Sequence, residues 1–184
     1  MKMKYISNDV LTSTSGSPEY ISFTMNGLFD PDISGTGQQP QYFDEMKALY
    51  TTYRVDYCRI NIRAGTATTD TDILVFALPF QTSSTAMSIN NLATQAYFKK
   101  KVLTNEKPVF IKINGAPSKF IGINKITYRD SDLYWGTAGA NPTSQYYCLI
   151  GCVDLAGTLT VTANFLITIT YYVTWFRRIN IGLS

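Results

Sequence analysis

The last part of the chain carries a strict period of two. Leu159, Val161, Ala163, Phe165, Ile167, Ile169, Tyr171, Val173 and Trp175 alternate with Thr158, Thr160, Thr162, Asn164, Leu166, Thr168, Thr170, Tyr172 and Thr174. Side chains of a strand point alternately to its two faces. Nine such repeats therefore predict one long strand, or two joined at a kink, with one face in a core and the other lined by threonine. Composition agrees: Phe, Trp and Tyr make up 14% of 184 residues, while Glu occurs three times and leaves little material for long amphipathic helices. The length suits one domain with a real core.

Residues 1–18 are rich in Ser, Thr, Asn and Gly and read as a flexible N-terminal arm, with the folded domain spanning 19–184. Tyr20 to Met25 reads as a strand, closed by Asn26-Gly27 and a long loop. Phe43, Met46, Leu49 and Tyr50 recur at helical spacing after Pro40 and predict one short helix. From Tyr53 to Arg63 the apolar phase changes, Val55 and Tyr57 on one side and Cys58, Ile60 and Ile62 on the other, which a bulge near Tyr57 reconciles. Beyond it Arg59, Asn61 and Arg63 point away from the apolar side. Gly65 to Thr71 reads as a turn, Asp72 to Phe80 as a buried strand, and Gln81 to Asn91 as a loop. Further strands are expected at 96–103, 108–114, 121–128 and 145–154. This count predicts an all-β, single jelly-roll sandwich with one short helix and long loops.

Several chemistries are excluded or disfavoured. The chain has no histidine, which removes His-dependent hydrolases and imidazole metal sites. Cys58, Cys148 and Cys152 form an odd set and read as small buried apolar residues rather than a disulfide framework. Asp30-Pro31-Asp32-Ile33-Ser34-Gly35 imitates half of a calcium loop, but Gln41 stands where the closing Glu belongs, so tight turns are expected there. Asp70 with Asp72, and Asp130 with Asp132, read as solvated loop charge. No cofactor, metal or catalytic residue is expected, and the protein is not read as an enzyme. The basic start at Met1 to Lys4 lacks a signal-peptide apolar run, and the longest apolar stretches, Ile73 to Phe80 and Tyr146 to Val153, are too short to cross a bilayer. No membrane partner is expected.

The net charge is +3, so a polyanion would have to be met by local clusters. Lys99-Lys100-Lys101, preceded by Tyr97 and Phe98, is the first candidate, with the outer two lysines sharing one face of a strand. The bland reading of that run is an edge strand guarded against aggregation. Arg59 and Arg63, Lys2 and Lys4, and Arg177 with Arg178 follow as candidate phosphate contacts.

Asn26-Gly27-Leu28-Phe29-Asp30-Pro31-Asp32, then Gly35-Thr36-Gly37-Gln38-Gln39-Pro40-Gln41-Tyr42-Phe43-Asp44 and Leu49-Tyr50-Thr51-Thr52-Tyr53-Arg54-Val55, resemble segments of the capsid proteins of circular, replication-initiator-encoding single-stranded DNA viruses, the circovirus-like group. Ile169 to Arg178 is similar to their last strand. Gln38 stands where the family often has His, and the family's long Arg-rich arm is absent from this sequence. The resemblance implies a jelly-roll subunit of an icosahedral virion shell of about 60 copies, assembled inside the host cell around single-stranded DNA, with an unidentified host receptor. The alternative is a lectin-like carbohydrate-binding module in which Trp135, in the Gly-rich Tyr134 to Gly139 loop, stacks on sugar.

Overall fold

The computed structural model describes residues 1–35, 38–66, 71–84, 88–105 and 107–179. Its strands are β1 (Lys2–Ser13), β2 (Glu19–Thr24), β3 (Tyr50–Thr66), β4 (Ile73–Phe80), β5 (Lys99–Leu103), β6 (Val109–Gly115), the two-residue β7 (Gly136–Thr137), β8 (Tyr147–Asp154) and β9 (Val161–Arg178). One sheet runs β1-β9-β3-β6, with β7 beside β3, and the other runs β2-β8-β4-β5. The pairs β1 with β9, β2 with β8, β3 with β6 and β4 with β5 are nested and all antiparallel. The chain is thus one long hairpin rolled onto itself, and β3–β9 and β4–β8 pairing closes each sheet. Eight strands so arranged make a jelly-roll sandwich.

The predicted terminal strand is β9, a single unbroken element. Its odd-numbered residues from Val161 to Val173 are buried between the sheets and most even-numbered ones face outward. A register shift between Val55 and Tyr57 in β3 is the expected bulge. At one end of the core Phe43, from the helix α1 (Phe43–Lys47), meets Tyr53 and Trp175 with ring centroids 6.0 and 5.6 Å away. The Tyr53 hydroxyl accepts from the Leu28 amide at 2.8 Å. Gly136 is required beside it, since a Cβ there would come within 2.1 Å of the Tyr53 ring.

Three sequence expectations need correction. Residues 2–13 are not an arm: they form β1, paired with β9 along their whole length, with Met3, Tyr5 and Leu11 buried. Ser7 and Asp9 occupy inward-phase positions between them and mask the alternation. Residues 121–128 are not a strand. Pro117 starts the helix α3 (Pro117–Ile121), Gly122 ends it in the left-handed region at φ 80°, and Asn124 caps α4 (Lys125–Asp130) by accepting from the Ile126 amide at 2.8 Å. A further short helix, α2 (Ile89–Ala93), overlaps the predicted 81–91 loop, so the described residues hold four short α-helices rather than one. Of the expected 65–71 turn, Gly65 and Thr66 belong to β3, and residues 67–70, Asp70 among them, lie outside the described residues.

Candidate nucleic-acid interface

The outward face of the β1-β9-β3-β6 sheet collects cations that are far apart in sequence. Register sets Lys2, Tyr172 and Tyr57 in one row, then Lys4, Thr170, Arg59 and Asn114, then Ile6, Thr168, Asn61 and Lys112, then Asn8, Leu166, Arg63 and Phe110. Rows on one face lie about 6.8 Å apart along the strands and neighbouring strands about 4.8 Å apart. Five positive charges therefore share a patch a few nanometres square or less. None of these outward positions holds a carboxylate. Among the described residues the ion pairs are Lys47–Asp44, Arg54–Asp56 and Arg129–Asp130, so none of the five cations is neutralised by one.

Lys2, Lys4, Arg63 and Lys112 are exposed, and Arg59 is half-buried. Thr170, between Lys4 and Arg59, is buried although it faces outward, as expected where long basic side chains lay their stems over a sheet. The Arg59 Nε is shielded and has no hydrogen-bond partner among the described residues. At the far end of the face the Tyr57 and Tyr172 rings meet edge-on at 5.6 Å, and Asn114 Nδ2 donates to the Tyr57 hydroxyl at 2.9 Å.

Lys99, Lys100 and Lys101 lie on β5, the edge strand of the other sheet. Lys99 and Lys101 pair with Ala77 and Val75, whose side chains face the core, whereas Lys100 pairs with Phe76, which belongs to the separate apolar cluster on the opposite face. The outer two thus turn toward the open edge of the sandwich. There Lys99 Nζ donates to the Lys112 carbonyl at 2.7 Å, joining β5 to the basic face across β6. Lys112 was not singled out from sequence, although it alternates with Phe110 and Asn114 in a strand that was. Arg177 and Arg178 lie elsewhere, with the Arg177 guanidinium 5.3 Å from the Trp135 ring centroid.

Other sequence candidates have local roles. Asp32 Oδ1 accepts from the Ser34 amide at 3.0 Å, a turn contact. Asn26 donates to the Ser144 carbonyl and accepts from the Tyr146 amide, both at 2.9 Å, which anchors the Asn26-Gly27 loop to the strand end. Burial pushes the Cys148 and Cys152 thiols up to about 12 and holds Cys58 well above its ordinary value, so all three behave as apolar core side chains. Asp30 and Asp9 are raised by burial and by nearby Asp32. Among the described residues no three His, Cys, Asp or Glu side chains converge in a metal-binding arrangement.

No protein-family model and no curated protein matches the sequence. Solved structures do. The decameric BFDV capsid protein covers 94% of this chain and 99% of its own at 12% identity, with a TM-score of 0.48. A chain of the Maize Chlorotic Mottle Virus structure covers 100% and 97% at 11% identity and TM-score 0.49, and one of Turnip Yellow Mosaic Virus covers 100% and 98% at 9% and 0.48. The jelly-roll assignment itself rests on the nested strand order of this chain.

Proposed function

We propose that this protein is a capsid protein that self-assembles into an icosahedral shell around single-stranded DNA, with the β1-β9-β3-β6 face turned toward the genome. The observation that carries the reading is a jelly-roll sandwich with one sheet face bearing five cations across four rows of outward positions that hold no carboxylate. A polyanion is the natural counterpart of such a face. Exposed apolar side chains away from it, among them Tyr42, Leu49, Ile126 and Leu133, supply surface for neighbouring copies to cover. In the carbohydrate-module alternative, the stacking residue would be Trp135, which already has partners within the chain. Trp135 donates its Nε1 proton to the Arg129 carbonyl at 2.9 Å, and its ring is taken up by Phe176 and Arg177. Light scattering and electron microscopy of the full chain at neutral pH and moderate salt test the reading. Uniform hollow particles are expected, and a folded monomer at high concentration would overturn it.

A further inference from the structure

Phe110 is 60% exposed at the β6 edge of the basic face, beside Arg63. Its outward direction follows from β6, where Ile111 and Ile113 enter the core and Phe110, Lys112 and Asn114 alternate outward. A large aromatic ring left in water on a flat sheet costs free energy, and nothing in the fold requires one there. The ring stands between two shallow recesses. One, of about 300 Å³, lies between Phe110, Arg63, Leu166 and Thr168. The other, of about 420 Å³, lies between Phe110, Lys112 and the edge of β5 that carries Lys99 and Lys101. Cations thus flank the ring on both sides, Arg63 as its direct cross-strand partner and Lys112 two residues along the same strand.

We infer that this face binds single-stranded DNA by stacking a base on Phe110 while Arg63, Lys112 and Lys101 hold the flanking phosphates. The inference deepens the capsid reading, on which it rests for the presence of a packaged strand. Stacking needs an exposed base face. A single strand offers one at every nucleotide, whereas a duplex keeps its bases inside. Leu166, 39% exposed and lining the same recess as Phe110, gives a thymine methyl an apolar contact that uracil does not exploit. Every base has a π-face, so the contact is tolerant of sequence.

The test is fluorescence anisotropy of the full chain with labelled (dT)20, a duplex of equal length and (rU)20, across a salt series. Loss of one base stack at Phe110→Ala should weaken (dT)20 binding about 5- to 150-fold and leave the salt slope unchanged. Arg63→Gln and Lys112→Gln should each flatten the slope by roughly 0.7 for a lost phosphate contact. Phe110→Trp should retain binding and show indole fluorescence quenched by (dT)20 but not by the duplex. Circular dichroism establishes that each variant is folded. Wild-type affinity in Phe110→Ala, or a duplex bound as tightly as the single strand, would overturn the stacking assignment, and tighter binding of (rU)20 than of (dT)20 would overturn the assignment to DNA. Phe110-dependent binding by a protein that forms no particles would refute the capsid reading alone, and particles whose DNA binding ignores Phe110 would refute this one alone.

Discussion

Asp154, buried at the end of β8, shows how one residue sets a connection on which the long strand depends. Its Oδ2 accepts from the Thr158 and Leu159 amides, each at 2.8 Å, and its Oδ1 from the Ala156 amide at 3.2 Å. Three donors aimed at a carboxylate favour its ionised form, and these backbone bonds hold its pKa below the ordinary value. The linkage follows in sign. A carboxyl whose folded value is depressed contributes stability that is fully present above the unfolded value of about 3.9 and is lost as the pH falls through the folded value. Asp154→Ala should cost about 1–3 kcal/mol in denaturant unfolding at neutral pH, and the deficit against wild type should shrink at acid pH. A deficit independent of pH would show that the side chain acts by packing alone. Asp9 behaves in the opposite direction: burial and Asp32 raise it, so its ionisation weakens the fold as the pH rises through its folded value.

At the scale of elements, β9 is the spine of its sheet, paired on one side with β1 and on the other with β3. Ile167 and Ile169 are fully buried on its inner face, whereas Thr168 faces outward beside Asn61 and Ile6. Ile167→Asp or Ile169→Asp would bury an unpaired carboxylate at a cost of several kcal/mol, a large share of a domain's total of about 5–15 kcal/mol. Thr168→Asp should be tolerated, and soluble yield with thermal melting of the three variants checks the phase. Equal damage from all three would mean that both faces are covered. This strand was legible because every inward position from Val161 to Val173 is apolar. Strand β1 was not, because Ser7 and Asp9 interrupt the same pattern at an edge where burial is incomplete. The segment 117–130 misled for another reason: Ile121, Ile123, Ile126 and Tyr128 are residue types common in strands, and the decisive signals were the single residues Pro117, Gly122 and Asn124 that start, stop and cap helices. The basic face was legible only in pieces. Arg59 and Arg63 could be placed on one side of one strand, but their assembly with Lys2, Lys4 and Lys112 is a property of strand order, which no local pattern encodes.

If the proposed shell holds roughly 60 copies, a net charge of +3 on each gives only about 180 positive charges, far fewer than the phosphates of a kilobase-sized genome. In such a shell, contact with the genome would depend on where the cations lie rather than on how many there are. The β5 lysines separate these two ideas within three residues. Lys101 turns toward the sandwich edge where Lys99 meets Lys112, while Lys100 lies on the face of Phe76, on the far side of the other sheet. If charge count alone mattered, Lys100→Gln and Lys101→Gln would be equivalent, since each removes one unit. If the β1-β9-β3-β6 face holds the strand, Lys101→Gln should lower both the DNA content of purified particles and the salt slope of oligonucleotide binding, by roughly 0.7 for one lost phosphate contact. Lys100→Gln should leave both close to wild type. Both variants should still assemble, because both lysines are exposed and neither is ion-paired among the described residues. The ratio of absorbance at 260 and 280 nm in sedimented particles, measured beside the salt series, gives the answer, and equal losses from the two substitutions would remove this face from the role assigned to it.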